Sequence, residues 1–257
     1  MRISATTTKT WRSRALATAL ESSLALALTA CATSPAVLPK AQAVAPELSP
    51  ARDAAAAGMV EIRSLVWDIS LDIRYAGQDN FVGRPVKGYE AAGCYLHQRA
   101  AQALARVERS LRPQGLMLRI YDCYRPVRAV QDFVAWAGDL DDQRSKPHYY
   151  PNLDKRDLLG DYISPTSGHS RGATVDLGLL ELREDRFEPM DMGTPFDFFD
   201  ETAHTASPNV SARQRSNREL LRSAMRREGF ENYPLEWWHY TYKPEPTPKT
   251  AFDFPVR

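Results

Sequence analysis

The sequence is poor in cysteine, with three residues in 257, and it has no run of about 20 apolar residues. The first absence excludes a small scaffold held together by many disulfides, and the second excludes a transmembrane helix. No run of five or more lysines or arginines occurs, and 33 Lys and Arg residues against 32 Asp and Glu residues leave a net charge of +1. No overall charge therefore attracts the chain to nucleic acid, which we do not expect as a partner.

The composition that remains is that of a folded protein. Hydrophobic residues make up 43% of the chain and charged residues 25%, which excludes a disordered or collagen-like chain. The length suffices for one domain of ordinary size or for two small ones.

The N-terminus has the pattern of an export signal. Positive residues precede an Ala- and Leu-rich stretch, and they are Arg2, Lys9, Arg12 and Arg14. The stretch ends in Leu-Thr-Ala-Cys at 28–31, which resembles the cleavage site of bacterial lipoproteins and makes Cys31 the expected lipid attachment. We predict a lipoprotein signal peptide at 1–30 and a location in the periplasm or cell envelope, with membrane contact only through this anchor. An ordinary cleaved signal with an incidental cysteine is the alternative.

The segment after the signal has little with which to form a core. Residues 31–58 are dominated by Ala, Pro and Ser, so we predict a disordered tether followed by one domain at 59–257. Cys94 and Cys123 lie in that domain, and either a disulfide or two free buried thiols fits an exported protein.

Hydrophobic periodicity predicts an α+β fold. Apolar residues alternate over 65–73, which indicates a strand, and strands are also predicted at 116–121, 172–180 and 237–242. Helical spacing covers 96–111, the stretch from Pro126 to Ala137, and 220–225, where the helix is predicted to end at Gly229. Residues 78–93 are predicted as a loop, and the polar stretch 138–167 as surface loop with short helical pieces. Strands and helices do not alternate as regular βαβ units, so we predict a largely antiparallel central sheet flanked by helices.

Two of the five histidines lie among other chemically capable residues. His169 and Asp176 belong to the sequence SGHSRGATVD at 167–176, and Glu236 and His239 belong to EWWH at 236–239. Two imidazoles and one carboxylate are a ligand set of catalytic zinc sites, and a second carboxylate can accept a proton from the metal-bound water. Packed, hydrogen-bonded histidines without a metal are the alternative that spacing alone leaves open.

These motifs resemble those of the zinc D-alanyl-D-alanine dipeptidases of the VanX type, which share the hedgehog/D,D-peptidase fold. Further segments that resemble the family follow in the same order: DIRYA at 72–76 with DNF at 79–81, YDCYRP at 121–126, and MGTPFDF at 192–198. The similarity covers most of residues 64–242. Thr174 is a departure, since the pattern prefers alanine there.

The resemblance implies a role for each matching residue. One Zn²⁺ per chain would be held by His169, Asp176 and His239. Glu236 would be the general base and then the acid, and Arg125 would stabilise the oxyanion of the tetrahedral intermediate. The substrate-binding residues would be Asp197 for the free amino group, assisted by Tyr75, and Ser167.

We therefore expect a zinc peptidase that hydrolyses D-alanyl-D-alanine or similar D,D-dipeptides in the cell envelope, in peptidoglycan turnover or D-alanine salvage. A D,D- or L,D-carboxypeptidase or endopeptidase acting on peptidoglycan stems is one alternative, and a zinc-bearing binding module without catalysis is another. Serine hydrolysis through Ser167 or Ser170 lacks the G-x-S-x-G turn and partners outside the metal set. Oligomeric state is not predicted.

Overall fold

The computed structural model describes residues 46–257, so the predicted signal peptide and Cys31 lie outside the described residues. In the described part, the helices and strands are β1 (Glu47–Leu48), β2 (Met59–Glu61), β3 (Ser70–Leu71), β4 (Tyr95–His97), α1 (Gln98–Leu111), β5 (Leu116–Asp122), α2 (Val127–Gly138), α3 (Lys146–Tyr149), β6 (Thr174–Arg183), β7 (Arg186–Pro189), α4 (Ala212–Arg227), β8 (Phe230–Asn232), β9 (His239–Tyr242) and β10 (Thr250–Ala251).

The central sheet has six strands and is largely antiparallel, which confirms the predicted α+β class. Its order is β3-β5-β6-β9-β8, and β7 forms a hairpin with the distal half of β6. Only the edge strand β3 runs parallel to its neighbour β5. The long strand β6 is buried over its first seven residues, so it forms the centre of the sheet.

The helices cover the sheet with apolar faces. In α1 the buried side chains recur at helical spacing and include Ala100, Leu104, Val107 and Leu111. Helix α4 begins with a capping box in which the Ser211 hydroxyl accepts from the backbone N–H of Gln214 and the Gln214 side chain accepts from that of Ser211. None of the helices among residues 46–257 is long and apolar enough to cross a membrane.

The predicted strand over 65–73 is wrong in most of its length. Only Ser70 and Leu71 form a strand, while the preceding residues turn, and Trp67 is 83% exposed. Of the alternating apolar residues, Ile69 and Ile73 are buried, and they lie just before and just after the short strand. At 96–111, residues 95–97 form β4 and the helix begins only at Gln98.

The end of the predicted tether is also corrected by the structure. Residues 46–58 are described, and β1 within them pairs in parallel with β10 near the C-terminus. Ala57 is buried in the core. Composition does not show this, because the pairing uses backbone groups and needs few apolar side chains.

Cys94 and Cys123 form a disulfide, with their Cα atoms 5.2 Å apart. This bond joins the start of β4 to the residue that follows β5. It decides between the two states that the sequence left open.

Candidate active site

Three side chains meet where the inner strands β6 and β9 of the central sheet pair. Asp176 on β6 is the register partner of His239, the first residue of β9. His169 opens a 3-10 turn just before β6, and this turn closes at Gly172 with a φ of +73°. Glycine adopts this left-handed φ without strain, and a Cβ atom at Gly172 would also lie 2.3 Å from the Met59 methyl group, so the Met59 side chain would have to move.

The three donor atoms form a compact triangle. Asp176 Oδ1 lies 3.3 Å from His169 Nε2 and 3.1 Å from His239 Nδ1, and the two nitrogens are 3.4 Å apart. Ligands about 2.0 Å from a tetrahedral zinc ion are separated by roughly 3.3 Å. Asp176 Oδ1 is buried and has no hydrogen-bond partner among the described residues. An unpartnered carboxylate oxygen between two imidazole nitrogens is what a cation site requires, so these residues fit a zinc ion.

The tautomer of His169 is fixed by the backbone. Its Nδ1 lies 2.6 Å from the carbonyl oxygen of Cys123, which can only accept, so Nδ1 carries the hydrogen. Nε2 therefore presents its lone pair to Asp176 and His239. Burial lowers the pKa of His169, which also favours the neutral, ligating form. Burial opposes the charge of Asp176, but the two imidazoles outweigh it and hold the pKa of this carboxyl below its ordinary value.

Glu236 stands beside the triangle without belonging to it. Its Oε2 is 3.4 Å from His239 Nδ1, and the residue lies in the turn that precedes β9. Only 8% of Glu236 is exposed, and burial, together with the negative charge of Asp176, raises its pKa to about 8. This carboxyl is therefore placed to exchange protons near neutral pH with a group at the metal position.

Arg125 lies behind the ligands and is held by two carboxylates. Its Nη2 is 2.8 Å from Asp122 Oδ2 and 3.4 Å from Asp176 Oδ2. Its guanidinium also lies over the rings of Tyr75 and Phe133, 5.1 and 5.0 Å from their centroids. Arg125 lines the cavity, so a buried positive charge faces the reacting groups.

Asp197 and Tyr75 form a second polar pair in the same cavity. The Tyr75 hydroxyl donates to Asp197 Oδ2 at 2.8 Å, and both residues are buried. Asp197 has a φ of +58°, a left-handed conformation that aspartate tolerates better than most residues. Burial and the charge of Asp176 raise the pKa of Asp197 well above its ordinary value, so an arriving cation would be needed to stabilise its ionised form.

The cavity has a volume of about 330 Å³, and the residues that line it include Tyr75, Arg125, Asp176, Asp197, Glu236 and His239, whereas His169 and Asp122 are buried and do not line it. Residues 160–164 and 166–168, on the loop before β6, line part of it, and Ser167 is one of them. The Ser167 hydroxyl also accepts from the backbone N–H of His169 at 3.2 Å. The residues predicted to bind metal, to catalyse and to bind substrate therefore lie together in and around one cavity.

Two residues of the site were given no role by the sequence analysis. The buried carboxylate of Asp122 accepts from Tyr89 at 2.6 Å and pairs with Arg125, and its Oδ2 is 3.4 Å from His169 Nδ1. Its position in YDCYRP was the available signal. Tyr233 lines the cavity, with its ring 5.6 Å from that of His239, and its hydroxyl donates to the Asp161 carbonyl. No motif pointed to it.

The chain is similar to known D-alanyl-D-alanine dipeptidases. A family model described as D-ala-D-ala dipeptidase matches residues 55–257. A D-alanyl-D-alanine dipeptidase of Enterococcus faecium is 40% identical over 201 residues, covering 78% of this chain and 98% of that protein. One from Streptomyces coelicolor is 41% identical over 196 residues, covering 76% of this chain and 96% of that protein. A solved structure of a vancomycin resistance D,D-pentapeptidase, a VanY mutant in complex with Zn(II), matches with a TM-score of 0.36 and 16% identity, over 59% of this chain and 75% of that one.

Proposed function

This chain belongs to the D-alanyl-D-alanine dipeptidase family, and we propose that it is a zinc-dependent peptidase of the cell envelope that hydrolyses D-alanyl-D-alanine. The single observation that carries the chemistry is the triangle of His169, Asp176 and His239 with Glu236 beside it in one cavity. These three residues would hold one Zn²⁺ per chain, and two of them, Asp176 and His239, line the cavity.

When bound, the zinc ion lowers the pKa of a water molecule to about 7 and polarises the scissile carbonyl. Glu236 accepts the proton of the attacking water and then donates it to the leaving amine. Its raised pKa suits this exchange, because a base that is too weakly basic could not hold the proton between the two steps. Arg125 stabilises the negative charge that develops on the carbonyl oxygen.

The substrate is a small dipeptide with a free amino group. A volume of about 330 Å³ is at the lower end for ligand pockets, which favours a dipeptide over a peptidoglycan stem. Asp197, oriented by Tyr75, binds the ammonium group, and the arriving positive charge favours the ionised carboxylate. Ser167 hydrogen-bonds the substrate from the loop that lines the cavity.

The proposed location follows from the export signal, and the disulfide supports it. Disulfides persist in oxidising compartments such as the periplasm, where the enzyme would act in peptidoglycan turnover or D-alanine salvage. Cys31 carries the lipid anchor and is the sole membrane contact, and nucleic acid is not a partner. Fractionation of cells producing the chain and its Cys31→Ala variant tests this: the parent should follow the membrane fraction and the variant should be released.

The catalytic proposal is tested by release of D-alanine from D-Ala-D-Ala and from its N-acetylated form, each with zinc and with a chelator. We expect cleavage of the free dipeptide only, abolished by chelation and restored by zinc. Comparable cleavage of the blocked form would favour a carboxypeptidase. Zinc binding without cleavage of either would favour a binding module.

A further inference from the structure

The disulfide between Cys94 and Cys123 lies directly behind a metal ligand. We propose that this disulfide positions His169 for metal binding, so that the site without the crosslink binds zinc more weakly. The inference rests on the proposed function in one respect, since it takes His169, Asp176 and His239 as the zinc ligands. Cys94 and Cys123 are positioning residues, and neither contacts the metal position.

The link between the disulfide and the ligand is a backbone carbonyl. His169 Nδ1 donates to the carbonyl oxygen of Cys123, and this is the bond that fixes which nitrogen of the imidazole is free to ligate. The ring is fully buried, and its other nitrogen lies 3.3 Å from Asp176 Oδ1. A displacement of the Cys123 carbonyl would therefore rotate or shift the imidazole away from the other two ligands.

The sheet does not hold Cys123 in place. The pairing of β5 with β6 is irregular between Ile120 and Asp122, and its last register pair is Asp122 with Asp176. Cys123 follows that pair. The next two residues are held by backbone and side-chain bonds: the Tyr124 N–H donates to the Tyr95 carbonyl at 3.0 Å, the Arg125 N–H to the His169 carbonyl at 3.4 Å, and the Tyr124 hydroxyl to the Phe254 carbonyl at 2.9 Å. The disulfide is the tether that acts on Cys123 itself, and it leads, like the Tyr124–Tyr95 bond, to the short segment at the start of β4.

That segment is well anchored and touches the ligand turn at a second point. The Cys94 carbonyl accepts from Ile62 N–H at 3.0 Å, and β4 pairs with β2. At the other end of β4, His97 N–H donates to the Gly172 carbonyl at 2.7 Å, where the His169 turn closes. The segment 94–97 thus contacts the His169 turn at two points: directly at Gly172, and through the disulfide and the Cys123 carbonyl at the imidazole of His169.

The burial of the two cysteines indicates a structural disulfide rather than one that is readily reduced. Cys94 and Cys123 are 0% and 1% exposed, so the crosslink is shielded from solvent. Metal ligands oriented by a fixed outer partner lose affinity when that partner is removed, by about 10- to 100-fold in known sites. Removal of the two sulfur atoms leaves the Tyr124–Tyr95 bond as the remaining tether between the segments.

The test measures zinc affinity rather than activity. The Cys94→Ala/Cys123→Ala variant of the full chain, which has no free thiols at these positions, is titrated with Zn²⁺ in competition with a chromophoric chelator. We expect its dissociation constant for zinc to rise by about 10- to 100-fold. The absorption spectrum of the Co²⁺-loaded protein should change as well, because it reports the geometry of the ligands.

A general loss of stability is separated by a matched control. Leu221→Ala removes a fully buried side chain from α4, a helix that carries none of the three ligands, and it leaves the disulfide intact. At a temperature where all proteins are folded by circular dichroism, Leu221→Ala should bind zinc like the parent. If the alanine pair does not fold, Cys94→Ala/Cys123→Val, which restores part of the lost volume, replaces it.

Two results would overturn the inference: parent-like affinity in the disulfide variant, or an equal loss of affinity in both variants. Neither result would affect the proposed function, which depends on the parent chain. Failure of the parent itself to bind zinc or to release D-alanine would contradict the proposed function instead.

Discussion

Replacement of Glu236 by glutamine should abolish most of the activity and, at the same time, stabilise the metal-free protein, because a buried charge is removed. The side chain keeps its shape in Glu236→Gln but can no longer accept a proton. Loss of a general base lowers kcat by about 10²- to 10⁴-fold. Zinc binding should persist, because Glu236 stands beside the ligand triangle and is not part of it.

The same substitution should stabilise the metal-free protein at neutral and alkaline pH. The pKa of Glu236 is about 8 in the folded chain and 4.5 for an ordinary glutamate. Between these values the folded state binds more protons than the unfolded state, so the parent loses stability as pH rises. Each unit of pKa difference corresponds to about 1.4 kcal/mol, so the difference between variant and parent should grow from near zero at pH 4.5 to about 3 kcal/mol at pH 7.

Denaturant unfolding of the metal-free parent and of Glu236→Gln, from pH 5 to pH 9, measures this difference. The zinc-loaded forms provide the control, because a bound cation compensates the charge of Glu236 and should reduce the advantage of the variant. Equal stability of the two metal-free proteins across the whole range would refute the reasoning. It would mean that Glu236 is solvated or paired in a way that this structure does not show.

Three further substitutions test other parts of the site. Arg125→Lys keeps the charge but loses the planar contact with two carboxylates, so kcat should fall by about 10²-fold with zinc content unchanged, which metal analysis and steady-state kinetics check. Asp197→Asn should raise KM for D-Ala-D-Ala much more than it changes kcat, and an unchanged KM would remove this residue from ammonium binding. Asp122→Asn should raise the zinc dissociation constant by about 10-fold, because Asp122 lies beside His169 Nδ1, and chelator competition decides this.

The sequence was sufficient where short-range pattern and chemistry coincide. Buried strand β6 and the helices α1, α2 and α4 follow from hydrophobic periodicity, because a packed element must turn an apolar face to the core. The metal ligands and Glu236 were singled out by residue type and by motifs that resemble the dipeptidase family. Such motifs carry this information because zinc accepts few kinds of ligand.

The hydrophobic pattern gave the wrong secondary structure where contacts with distant residues determine the backbone conformation. Alternation over residues 65–73 resembles a strand, yet only Ser70 and Leu71 find a partner in β5, and Trp67 points to solvent. In the segment predicted as a tether, β1 is ordered by pairing with β10, about 200 residues away. A strand needs a partner, and hydrophobic periodicity does not say where that partner lies.

The tertiary structure alone decided how the chemical groups meet. His169 and His239 are 70 residues apart in the chain, and the β6–β9 register together with the Gly172 turn brings their nitrogens to 3.4 Å. The contacts of Asp122 and of the Cys123 carbonyl with the imidazole of His169 likewise come from the fold, because they depend on which buried atoms face His169 Nδ1. The sequence by itself determined which residues are chemically able to hold a metal and move a proton. The fold determined their distances and burial, and on these depend the raised pKa of Glu236 and the orientation of the ligands.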